Sequence, residues 1–173
     1  FISPDRKDVT HYIPQIGQGG ISLPDRDYYL KYDARSTAVR DAYIRHLKKM
    51  FELIGRSEAQ AAVATDAVMR IETALASAEM SRVEMRDPYK TYNKFSWKDL
   101  SGTTPGIDWK GWAAEMQVTG IDSLVVSNPG FLKSMDLLLT VLSLDYGKAY
   151  LQWNVRRSSA PFLSNAFVDE DFD

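Results

Sequence analysis

Cysteine is absent from the 173-residue chain. That single absence excludes disulfides, thiolate nucleophiles and cysteine-ligated zinc. Histidine is scarce as well: His11 and His46 are the only two. They do not form the HExxH spacing that sets two imidazoles on one helix face around a zinc ion. No apolar run approaches the ~18 residues of a membrane span, and no run of roughly five like charges marks a polyelectrolyte tail. The formal net charge of −2 speaks against a nucleic-acid surface, which needs a basic patch or stripe. A GxSxG nucleophile elbow is also missing. Gly17-Gln18-Gly19-Gly20 lacks both the GxGxxG spacing and the Walker lysine of a phosphate loop, so it reads as a turn.

What is present is globular: 45% hydrophobic and 25% charged residues, with four Trp, nine Tyr and seven Phe. A chain of this size buries roughly 70% of its unfolded surface, enough for a true core. Its length fits one domain or one piece of a longer protein. A piece is the expectation, because the chain opens on FISPDRKD without Met or a leader pattern and closes on the acidic FVDEDFD.

Residues 1–33 are rich in turn formers: Pro4, Pro14, Gly17, Gly19, Gly20 and Pro24. HYIPQI is a candidate extended piece, with Pro14 confining it to a sheet edge. From Asp33 the pattern becomes helical. Val39, Tyr43, Leu47, Met50, Phe51 and Ile54 share one face, and Gly55 is the natural terminator. SEAQ (Ser57 to Gln60) has capping-box spacing. It opens a second helix whose stripe reads Val63, Ala67, Ile71, Leu75 and Ala78. Two long segments on one short connection predict an antiparallel helix hairpin. Its large apolar side chains contribute ~1.5–3 kcal/mol each, against roughly 1–2 kcal/mol per ordered backbone residue, so further layers must cover it.

Residues 86–108 read as an irregular connector holding one short helix capped by Ser96. Asp108 caps another. Asn128 and Pro129 form an N-cap and N1 pair ahead of Leu132, Met135, Leu138, Leu139 and Leu142. Ser143 opens another helix with Tyr146, Ala149, Tyr150 and Trp153 on one side, before Pro161 breaks the chain. Ser123–Val126 is the one convincing strand. The expected fold is mainly α and multi-helical, an antiparallel hairpin plus further helices with little or no β, as a single helical region over residues 1–173.

Few residues offer chemistry. Asp25 and Asp27 flank Arg26 and could form an acid–base pair. The favoured reading is a turn cap with an ion pair, since a spacing of two in a loop fixes no distance. Arg86-Asp87-Pro88 with Tyr89 and Tyr92 reads as a loop clamp. Phe95, Trp97, Trp109 and Trp112 are either a sugar or peptide platform or, as favoured, core beneath a long loop. His46 reads as a partly exposed helix residue. Residue chemistry alone yields a helical domain without a self-contained active site.

Several quoted stretches nevertheless add up to a resemblance. GQGGISLPDRDYYL is similar to the GLGLPDRDYYL signature in the non-catalytic half of the neprilysin family of zinc metalloendopeptidases. The stretch IETALASAEMSRVEMRDPYKTYNKFSWKDL resembles that family's long helix followed by R-D-P-x-K-x-Y-N. VVSNPGFLKSMDLLL and LQWNVRRSSAPFLSNAF fit later positions in the same order. The resemblance implies a mainly α, two-lobed enzyme. One thermolysin-like lobe carries HExxH and ExxxD around zinc, and a helical lobe restricts access to short peptides. This chain corresponds to part of the second lobe.

No zinc ligand or catalytic residue transfers to any position here, so the site list for catalysis, cofactor and metal is empty. Zinc is expected in the full-length enzyme and not on this chain. Peptide substrates and the thermolysin-like lobe are the expected partners, with no nucleic acid and no membrane span. The cysteine-free composition resembles bacterial members, which implies an exported, periplasmic or cell-surface home. The competing reading is a stand-alone binding module presenting Tyr28, Tyr29, Trp109 and Trp112.

Overall fold

The structure, a computed structural model, describes residues 1–118 and 120–172; the FVDEDFD reading ends on Asp173, outside them. The elements run β1 (Ile2–Asp5), β2 (Asp8–Ile16), α1 (Asp27–Leu30), α2 (Ala34–Leu53), α3 (Glu58–Ala78), β3 (Asn93–Ser96), α4 (Trp97–Thr103), α5 (Trp109–Glu115), β4 (Ser123–Val126), α6 (Pro129–Val141), α7 (Leu144–Ser159) and α8 (Asn165–Phe172). Helix dominates, as expected, with a small sheet beside it. The chain forms two compact units, Phe1–Gly19 with Ala78–Val141, and Gly20–Ser77 with Leu142 onward.

The first unit is built on a four-stranded sheet of order β1-β2-β4-β3. β1 and β2 form an antiparallel hairpin with Ile2 opposite Pro14. β2 pairs in parallel with β4 through Gln15 and Ile16, and β3 lies antiparallel on the far side of β4. β2 is therefore an inner strand, which corrects the expectation that Pro14 would confine it to an edge. Phe1 and Gln15 exchange both backbone hydrogen bonds, at 3.3 and 2.8 Å. The neighbouring pair Ile2–Pro14 is then of the non-hydrogen-bonded kind, and pairing with β4 starts only at Gln15. The missing proline N–H costs no ladder bond.

β4 is the predicted strand. Leu124, Val125 and Val126 are all buried, as a strand covered on both faces requires. β3 falls inside the stretch expected to be an irregular connector. The caps hold: Ser96 accepts from the Asp99 N–H, Asp108 from Gly111 and Asn128 from Phe131.

In the second unit, Asp33 caps α2 by accepting from the Ser36 N–H. Gly55 follows at φ +88°, the left-handed turn that ends it. Ser57 and Gln60 form the predicted reciprocal capping box, at 3.0 and 3.4 Å. Lys48 pairs with Glu58 near the connection and Tyr43 with Glu72 farther along, so α2 and α3 run antiparallel. Large side chains on α2 (Tyr43, Leu47, Met50, Phe51) meet small ones on α3 (Ala61, Ala64, Ala67). Ala149 and Trp153 of α7, and Ala160, complete this core. α8 packs beside α2.

One expectation fails on α3: Val63 is 62% exposed. Ala67, Ile71 and Leu75 of the predicted stripe are buried, and the buried arc also takes in Ala64, Thr65, Val68 and Glu72. Two polar members, Thr65 and Glu72, widen that arc beyond the stripe that apolar residues alone suggest.

Candidate functional site

The most ordered polar constellation lies in the second unit, where residues 20–30 fold onto α3. Glu72 is fully buried. Its carboxylate accepts from the hydroxyls of Ser22 at 2.6 Å, Tyr29 at 2.7 Å and Tyr43 at 2.9 Å. The Tyr29 oxygen in turn accepts from the backbone N–H groups of Ser22 and Leu23, at 3.1 and 2.9 Å. Trp153 Nε1 donates to Ser22 Oγ at 2.9 Å. One carboxylate thus gathers the turn, α1, α2 and α3. A charge buried this way is tolerated only with such a full set of donors.

Electrostatics follows from that burial. Desolvation raises the Glu72 pKa above the ordinary glutamate value, while the Ser22, Tyr29 and Tyr43 hydroxyls pull it back. Burial, then the Glu72 charge, pushes both phenols up, so they remain neutral donors. Two further ties hold the stretch. Arg40 Nη1 donates to the carbonyls of Tyr28, Tyr29 and Lys31, and Tyr150 donates to the Gly20 carbonyl at 2.6 Å. Gly20 sits at φ +91°, and a Cβ there would lie 2.7 Å from the Tyr150 hydroxyl oxygen. Glycine is required at that position, whereas Gly19 has open space around it.

This arrangement is a clamp. A general acid or base must reach its substrate within hydrogen-bond distance, and the Glu72 carboxyl has no exposed surface through which to do so. The clamp reading of GGISLPDRDYYL therefore holds, with different anchors. Asp27 makes only a local, exposed pair with Lys31, Asp25 caps the Asp27 N–H, and Arg26 leaves its buried Nε without a partner. Tyr29, Glu72 and Arg40 carry the attachment. Glu72 and Arg40 escaped the sequence reading because nothing local links them to the turn.

The remaining candidates fall into place singly. Exposed His11 lies 2.8 Å from Asp8, and His46 lies 3.1 Å from Glu170. Each imidazole is engaged with one carboxylate, and among the described residues no three His, Asp or Glu side chains converge as a metal would need. The donor set does not fit a catalytic zinc. In GQGG, Gln18 splices the first unit, exchanging bonds with the Met80 backbone and accepting from Asn128. Asp87 caps the N–H groups of Tyr89 and Lys90, and Arg6 ties the same loop through Thr91.

Tyr92 donates to buried Asp5 at 2.8 Å, and Lys94 lies 3.0 Å from it. The Lys7 N–H, Lys94 and Tyr92 hold the Asp5 pKa down to about 2. Trp112 rests against Trp97 and Trp109. Tyr29 and Trp109 are buried, which removes both from the contact surface of the binding-module reading. Among the described residues no helix is long and apolar enough to cross a membrane.

Comparison with known proteins agrees over the whole length. The family profile described as peptidase family M13, in its N-terminal part, matches residues 1–173. The chain is 30% identical to an endothelin-converting enzyme homolog of Locusta migratoria, covering 97% of this chain and 24% of that protein. It is 30% identical to Neprilysin-3 of Drosophila melanogaster, with 97% and 23% covered. Among solved structures, zinc metalloprotease Zmp1 of Mycobacterium tuberculosis in its open state aligns with a TM-score of 0.93 at 32% identity, over 99% of this chain and 27% of that one. PepO of Lactobacillus rhamnosis shares the fold, with a TM-score of 0.77 at 20% identity over 96% and 26%. The chain thus spans about a quarter of the length of these relatives. With the profile matched from end to end, the chain belongs to peptidase family M13.

Proposed function

We propose that residues 1–173 form part of the substrate-enclosing helical lobe of a neprilysin-like zinc metalloendopeptidase. The observation that carries this reading is the end-to-end family match in a chain with no HExxH. In this reading the complete polypeptide hydrolyses peptide bonds through a zinc-activated water and a glutamate base, both held on a thermolysin-like lobe outside these residues. The present residues supply no catalytic, zinc-binding or cofactor-binding side chain. They contribute a wall that limits substrates to short peptides, and contacts to the catalytic lobe. Export to the periplasm or cell surface goes with this reading.

One feature of the surface supports the inter-lobe role. Leu144, Leu151 and Val155 are 72%, 64% and 63% exposed and recur at helical spacing along α7, opposite the buried Ala149 and Trp153. Such an aliphatic face suits a surface covered by a partner. The coding sequence downstream of Asp173 tests the proposal: an HExxH motif within a few hundred codons supports it, and a stop codon directly after Asp173 contradicts it.

A further inference from the structure

A groove in the first unit lies outside the clamp. It measures about 240 Å³ and is lined by Arg6, Lys7, Pro88, Tyr89 and Tyr92. Drug-sized ligands occupy ~300–1,000 Å³, so this groove fits one or two amino-acid side chains. Arg6 and Lys7 form the β1–β2 turn, and their charges sit 5.5 and 4.6 Å from the centre of the Tyr92 ring. Tyr92 is the half-buried floor, fixed by its hydrogen bond to Asp5. Tyr89 is 89% exposed.

The lining of the groove is one-sided in charge, with two cationic side chains and no acidic one. Asp5 lies nearest in sequence to both cations, yet Lys94 and the Tyr92 hydroxyl occupy its side-chain oxygens. Asp8 is engaged by Thr10 and His11. Asp87 accepts from the N–H groups of Tyr89 and Lys90. Arg6 spends its guanidinium hydrogen bonds on Thr91, which neutralises no charge. Among the described residues no carboxylate is paired with Arg6 or Lys7, so two cations face a small aromatic-walled groove.

We propose that this groove docks an acidic peptide segment. One Asp or Glu carboxylate sits at Lys7 and Arg6, and an adjacent side chain lies against Tyr89 and Pro88. Charge complementarity selects the carboxylate, and the exposed ring and proline supply apolar contact. This goes beyond the peptidase reading and stands without it.

The test uses a fluorescent, end-blocked hexapeptide containing two Glu and two aromatic residues, and its Gln counterpart, titrated into the protein with polarisation as readout. The Glu peptide is expected to bind saturably, at least about fivefold tighter than the Gln peptide, and to weaken with added salt. Lys7→Gln and Tyr89→Ala are each expected to weaken it at least about threefold, in line with exposed charge and ring contacts, with the melting temperature unchanged. Absence of saturable binding, equal affinity for the two peptides, or indifference to both substitutions overturns the proposal.

Discussion

Tyr29 is the side chain on which the signature stretch depends. Its hydroxyl serves two backbone N–H groups and one buried carboxylate. Tyr29→Phe is expected to lower stability by ~1–3 kcal/mol, because all three groups lose a partner and one of them is the fully buried Glu72 carboxylate; urea unfolding with an unchanged m-value measures it. Glu72→Gln carries a different signature. The Glu72 pKa is raised in the fold, so the native state binds that proton more tightly than the unfolded one. Its contribution to stability is greatest below the ordinary value of 4.5 and declines as pH rises from there through the raised value.

Asp5 behaves oppositely. Its pKa is lowered from 3.8 to about 2, so its contribution is full above 3.8 and disappears as pH falls through about 2. Unfolding free energies across this range are expected to show a decline above 4.5 that Glu72→Gln removes, and an acid-side loss that Asp5→Asn removes. A pH profile unaltered by Glu72→Gln contradicts the burial assigned to that carboxylate. Gly20→Ala, which adds a Cβ at φ +91° within 2.7 Å of the Tyr150 hydroxyl, is expected to cost ~1–3 kcal/mol. Gly19→Ala, facing open space, is the control.

At the level of elements, capping separates what could be read from what could not. Ser57, Ser96, Asp108 and Asn128 all cap where their spacing said they would, and Ser143 caps the helix it opens, because a cap is decided within three residues. Ser57→Ala is accordingly expected to cost ~1 kcal/mol. Asn128→Ala should cost more, since that side chain also donates to Gln18 and to the Ala78 carbonyl; thermal or urea denaturation ranks the two. β1 and β3 were hidden, and β2 was read only in its HYIPQI half, because strands are completed by distant partners, as where Gln15 meets Val125. β3 is too short, at four residues, to show alternation. The buried face of α3 was read too narrowly for a related reason. Thr65 and Glu72 are interior, and Glu72 is interior only because hydroxyls from two other segments satisfy it. The clamp was legible as a clamp, but its anchor, 43 residues from Tyr29, was not.

For the molecule as a whole, the same residues that fix the fold of these two units leave an aliphatic face on α7. Leu151→Glu with Val155→Glu is expected to change the stability of the chain by less than about 0.5 kcal/mol, as exposed substitutions do, and to reduce its binding of a hydrophobic dye. A large loss of stability would mean that this face is already used within the chain. The direct test of the central claim is peptide hydrolysis measured side by side on the purified 173-residue chain and on the full polypeptide that contains it, each with zinc and then with a chelator. The account predicts chelator-sensitive cleavage of short peptides by the full polypeptide and none by the chain. Chelator-sensitive cleavage by the chain itself would contradict it.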